Sequence, residues 1–129
     1  MIEVPVSWGE LVDKITILQI KSDRMKDEAK LQNVRKELTL LTDRLGKNAG
    51  NADVSRLTKA LYDVNAELWD IEDDIRDREN AGDFGETFVS LARSVYITND
   101  KRAELKREVN LALGSGLVEE KSYQAYRIQ

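Results

Sequence analysis

DVSRLTKALYDVNAELWDIEDDI, residues 53–75, is the stretch whose reading decides the fold. Val54, Leu57, Leu61, Val64, Leu68, Ile71 and Ile75 alternate spacings of three and four without a miss. Residues so spaced share one face of an α-helix, so the stretch predicts a helix with a single apolar stripe. Sustained over three heptads, this spacing also predicts coiled-coil-like packing against neighbouring helices. Asp53 is placed to cap the start and Gly82 to end it.

Upstream, Gly46-Lys-Asn-Ala-Gly-Asn (46–51) reads as a loop, with two glycines and two asparagines and no apolar anchor beyond alanine. Before it run two stripes, Leu11-Ile15-Leu18-Ser22-Met25 and Leu31-Val34-Leu38-Leu41-Leu45. Between them the register slips by three residues without a glycine or proline. One long helix kinked near Asp27 is therefore expected, reaching roughly 58 Å at about 1.5 Å per residue. Ser7 and Glu10 form an S-x-x-E capping box, with Val6 and Leu11 placed as a hydrophobic staple. Ile2, Val4 and Val6 alternate around Pro5 and predict a short extended lead-in, or one edge strand.

Downstream, Asp83 and Glu86 give a second helix start, D-x-x-E. The stripe that follows is Phe84, Phe88, Leu91, Val95, then Thr98 and Arg102, then Leu105, Val109 and Ala112. Gly114-Ser-Gly (114–116) ends it, and a polar tail offers Leu117, Tyr123 and Tyr126 as anchors for a short helix folded back. The expected fold is all-α: one domain over 1–129, an antiparallel bundle of three long helices with the first one kinked. Stripes this narrow leave apolar area to spare in a thin bundle, so a homodimer with coiled-coil-like packing between subunits is expected.

Composition removes several function classes. There is no cysteine and no histidine, so disulfides, thiolate chemistry, and the commonest general base and zinc ligand are absent. No cofactor motif is present, and a metal would have to be a hard cation held by oxygen. A net charge of −4 does not resemble a nucleic-acid footprint. No apolar run approaches membrane-spanning length, and the N-terminus lacks a basic region followed by an apolar core. A cytoplasmic protein with neither nucleic-acid binding nor membrane insertion is expected. Charge is uneven: 53–81 holds nine acids and four bases, while 8–46 and 84–113 are each +1. The acidic helix is thus expected between two mildly basic ones.

Three constellations carry candidate chemistry. Asp70, Asp73, Asp74 and Asp77 share a helical face, as a magnesium-dependent nucleotide hydrolase requires. That face lies opposite the apolar stripe, where acids are ordinarily solvated, and the paired E-x-x-E and E-x-x-D motifs of all-α pyrophosphatases are not found. Tyr62, Asn65, Trp69, Glu72 and Arg76 form a strip beside the same stripe, able to line a pocket or to edge a helix contact. SVYITNDKRAELK (94–106) places Thr98 and Arg102 where the stripe elsewhere holds apolar residues.

In a hairpin turning at Gly82-Asp83, numbers on facing helices sum to about 165, so this stretch meets the strip. A polar layer of Asn65, Trp69, Glu72, Arg76, Tyr96, Asn99, Arg102 and Lys106 is the candidate ligand-binding site. Buried unpaired, Arg102 would be very costly. It needs an acid, water or an anionic ligand, and Asp23 on the first helix is one possible counter-charge. Such a layer can set register and oligomer state, can be a structural salt-bridged layer, or can hold a small anion as in helical-bundle chorismate mutases.

SWGELVDKITIL (7–18), NVRKEL (33–38), LWDIEDDIRD (68–77), LARSVYITNDKRAELKREVN (91–110) and LVEEKSY (117–123) together resemble a bacterial family classed as a domain of unknown function. The resemblance implies small helical proteins often encoded beside, or fused to, glycosyltransferases of surface-polysaccharide synthesis. It assigns no catalytic residue. The expected function is a non-catalytic interaction or oligomerisation module, accessory to cell-surface polysaccharide or lipopolysaccharide enzymes, with a glycosyltransferase as possible partner. The alternatives are a small-anion binder or enzyme centred on Arg102, and a magnesium-dependent nucleotide hydrolase.

Overall fold

The stripe at 54–75 folds as expected, into the longest helix of the chain. The computed structural model describes residues 1–115, 120 and 122–126. It consists of α1 (Trp8–Arg24), α2 (Glu28–Leu45), α3 (Ala52–Asn80) and α4 (Glu86–Leu113). A short 3-10 helix, Gly46–Gly50, joins α2 to α3. No strand occurs among the described residues, and residues 1–6 have no regular secondary structure and are exposed.

The expected long first helix is two helices, which raises the count of α-helices among the described residues from three to four. Met25 leaves helical geometry with ψ 148°. Asp27 then caps α2, its carboxylate accepting from Lys30 N at 3.1 Å. This is the physical meaning of the three-residue slip: a reversal, with Leu18 buried before it and Leu31 after it. α2 folds back along α1, as ion pairs Lys14–Glu37 (3.3 Å) and Glu3–Arg44 (3.1 Å) record.

Two helix starts also differ by a few residues from the reading. Asn51, rather than Asp53, caps α3, accepting from Asp53 N (2.9 Å) and Val54 N (3.2 Å). Asp83 braces the α3–α4 turn instead of capping α4, meeting Gly85 N at 3.1 Å and Arg78 at 3.3 Å. The turn passes through Gly82 at φ +66°, a left-handed conformation that glycine takes without steric cost.

The core lies where all four helices approach: Val12 and Ile15 of α1, Leu45 of α2, Val54, Leu57 and Leu61 of α3, and Val109 of α4. Each such side chain contributes on the order of 1.5–3 kcal/mol by leaving water. α1 is central, in contact with every other helix.

Burial is uneven along the α3–α4 hairpin. We call proximal the half that meets α1 at the core, and distal the half that leads to the Gly82 turn. The buried residues of α4 are Thr98, Lys106, Val109 and Asn110, all proximal. Distal α4 buries none, although it carries Phe88, Leu91 and Val95.

At the C-terminal end, Gly114 adopts φ +63° and Ser115 N closes on Asn110 O at 2.8 Å. The described tail residues are not helical. Tyr126 packs on Tyr96 with ring centroids 4.8 Å apart. Gly116 and the anchor Leu117 lie outside the described residues.

Candidate functional site

Most of the buried polar residues gather at and beside the seam where α1 meets α4. Gly9 lets the helices touch: a Cβ there would collide with the Lys106 carbonyl oxygen and sit 2.9 Å from Asn110 Oδ1. The contact carries a ladder that rises along α1 as it descends α4, so the two run antiparallel. Trp8 N donates to Ser115 Oγ (3.2 Å) and Gly9 N to Asn110 Oδ1 (2.7 Å). Those are two of the amides a helix start leaves without partners. Ser7 Oγ takes a third, from Glu10 N at 3.2 Å. The Glu10 carboxylate, which the capping-box reading aims back at Ser7, instead meets Lys106 Nζ at 2.5 Å.

One turn further along α1, Asp13 answers the charge of Arg102. Its Oδ1 accepts from Arg102 Nε at 2.8 Å and its Oδ2 from Nη2 at 2.6 Å, a two-pronged pair. Asp13 is 2% exposed, and burying its carboxylate is tolerable only because its oxygens are so engaged. Asn65 of α3 completes the set by donating to Asp13 Oδ1 and to Thr16 Oγ1, both at 2.9 Å. Thr16 Oγ1 in turn donates to the Asp13 carbonyl at 2.7 Å. Among the described residues, no buried side-chain nitrogen or oxygen lacks a partner.

Asn65, Arg102 and Lys106 of the expected layer therefore belong to the seam, with Asn65 and Arg102 brought together by Asp13. Tyr96 and Asn99 lie on the outer side of α4, where they share with Arg102, Lys106 and Tyr123 a cleft of about 380 Å³. Trp69 sits elsewhere, under the Arg24 guanidinium at 6.0 Å. Glu72 and Arg76 pair with each other at 2.5 Å on the exposed face of α3. Asp23 accepts from Tyr62 at 2.7 Å and is not the counter-charge of Arg102. That hydrogen bond, and then partial burial, holds the Tyr62 phenol above its ordinary pKa. For Tyr126, burial and then a hydrogen bond with Asp100 act in the same direction.

The aspartate face remains exposed, with Asp70 paired to Arg24 at 2.6 Å. Among the described residues no three acidic side chains gather where they could hold a metal ion. None of the described helices is long and apolar enough to cross a membrane.

Gly9, Thr16 and Asn110 are site residues that stripe reading passes over. A glycine inside the first turn of a capped helix was the available sign of a close approach.

Comparison with known proteins places the chain in a family without assigning it an activity. No curated protein and no solved structure matches the chain. Residues 2–128 match the family of unknown function DUF6165. The chain belongs to DUF6165.

Proposed function

We propose that the protein is a non-catalytic helical interaction module, accessory to enzymes of cell-surface polysaccharide synthesis. The observation that carries the non-catalytic part is the internal closure of the seam. Asp13 engages Arg102, Glu10 engages Lys106, and the neighbouring amides are taken by Asn110 and Ser115. Groups so committed hold helices together, whereas catalytic groups are aimed at a space that a substrate fills. The polysaccharide part rests on the family resemblance. A homodimer, expected from the spare apolar area of the stripes, is the self-associating form of the same module.

The test is co-purification. Tagged protein expressed with a surface-polysaccharide glycosyltransferase from the same organism is expected to retain it through size-exclusion chromatography. Separate elution of the two, together with full transferase activity in the absence of the module, would remove the accessory role.

A second reading is small-anion binding, with or without catalysis, in the cleft of Tyr96, Asn99, Arg102 and Lys106. It is favoured by the Arg102 side chain, 30% exposed at the cleft wall. That reading expects inorganic phosphate or a small dicarboxylate to raise Tm. The module reading expects no shift.

A further inference from the structure

α1 shows what the groove between α3 and α4 is built to hold. At the proximal level Asp13 lies between Asn65 of α3 and Arg102 of α4. A helix returns to within roughly 20° of the same face every seven residues. Steps of seven along α3 and α4 therefore carry this seat outward, to Glu72 with Val95 and then to Glu79 with Phe88. α1 does not follow. Its polar contacts with α4 end at Asp13, and from Thr16 onward they go to α3, through Asn65, Tyr62 and Asp70. The distal groove is left with half-buried Ile75, Phe88, Leu91 and Val95, and Phe84 beside the turn is 57% exposed.

The distal seats also differ in charge. Where the proximal seat has a neutral amide and a cation, the outer two have a carboxylate and an apolar side chain. Residues 68–80 hold six acids and two bases, a net −4 that equals the net charge of the whole chain. Of these acids, Asp70 pairs with Arg24 and Glu72 with Arg76. Arg78 turns to Asp83. Glu79, at the groove edge, has no ion pair among the described residues; nor have Asp73, Asp74 and Asp77, which lie on the face opposite the apolar stripe and add to the negative field without lining the groove.

We propose that the distal α3–α4 groove seats a helix of a partner protein, one with an apolar face flanked by lysine or arginine. This rests on reading the protein as an interaction module and names the surface and the chemistry of its partner. The apolar face covers Ile75, Phe88, Leu91 and Val95, and the flanking cations meet Glu79 and compete with Arg76 for Glu72. A second copy of this chain fits less well, because it brings the same −4 segment to the contact and like charges repel.

The test uses the full chain and a designed 21-residue helical peptide, with leucine at the a and d positions of each heptad and lysine at e and g. Two controls are the same peptide with glutamate for lysine, and a scrambled peptide of identical composition. Calorimetry is expected to show binding of the lysine peptide alone, weakening as salt rises. Glu72→Gln with Glu79→Gln is expected to weaken it by about three- to tenfold. Phe88→Ala with Leu91→Ala is expected to weaken it by more than about tenfold. Circular dichroism checks that both double variants stay folded.

Equal binding of the scrambled peptide, or unchanged affinity in either double variant, overturns the proposal. So does a dimer in sedimentation that the Phe88→Ala/Leu91→Ala chain no longer forms, since the groove then belongs to a second copy. The two readings fail separately. A glycosyltransferase that co-purifies equally with wild type and both variants removes this seat and leaves the module. Peptide binding as expected, with no co-purification, leaves the seat and removes the accessory role toward the glycosyltransferase.

Discussion

The proximal and distal halves of the α3–α4 hairpin are made of the same two helices and the same heptad spacing. In the proximal half a third helix lies against them, and the side chains there include Leu57, Leu61 and Val109 at 1% exposure or less. In the distal half Ile71 of α3 is still buried, but beyond it the stripe continues through Ile75, Phe88, Leu91 and Val95, each only half-buried. Apolar spacing thus specifies which face of a helix seeks cover and is silent on whether cover arrives. The polar residues follow the same division. Proximal charges are paired across helices, as Asp13 is with Arg102. Within the distal hairpin the pairs are local, Glu72 with Arg76 and Arg78 with Asp83, apart from Asp70, which meets Arg24 of α1; an exposed pair four residues apart is worth only about 0.3–0.5 kcal/mol.

The division can be attacked by substitution. Asp13→Ala removes the carboxylate that engages both Arg102 and Asn65 and is expected to cost about 3–5 kcal/mol in urea unfolding. Replacing both partners by apolar residues, Asp13→Leu with Arg102→Met, is expected to recover most of that loss; no recovery would mean that the seam contributes more than charge pairing. Leu61→Ala in the proximal core should cost about 2–5 kcal/mol. Leu91→Ala in the distal half should cost less than about half as much, and equal losses would erase the distinction. Gly9→Ala forces α1 off the Lys106 carbonyl and is expected to cost about 1–3 kcal/mol. The smallest effect is assigned to Arg76→Ala, below about 0.5 kcal/mol. Hydrogen exchange gives an independent check: distal amides of α4 should open at a lower free energy than those around Val109.

Much of the fold was legible because it depends on local signals. Ser7 as a helix cap, the stripe of α3, and the turns at Gly46, Gly82 and Gly114 follow from short-range geometry. The reversal at Met25–Asp27 was visible only as a slipped stripe, which a kink explains equally well. The seam was harder. α1 is covered from two directions, so its buried residues run Gly9, Val12, Asp13, Ile15, Thr16, Leu18, Ile20 and do not form one narrow stripe. Arg102 could be identified as needing a counter-charge, but Asp13 could not be selected without knowing that α1 crosses both α3 and α4. For the same reason Trp69, placed opposite Tyr96 by hairpin arithmetic, belongs to the side of α3 that meets Arg24.

The ladder from Gly9 to Arg102 also has a meaning in time. Gly9 and Asn110 are 101 residues apart in sequence, and Asp13 and Arg102 are 89 apart. During synthesis from the N-terminus, Asp13 emerges long before the guanidinium that makes its burial tolerable. Until α4 is complete, α1 must keep that carboxylate in water, so it cannot take its final place against α3. Contacts this distant carry the largest loop-closure cost and slow the folding of small domains. The central helix is therefore made before the helix that locks it, and is locked late.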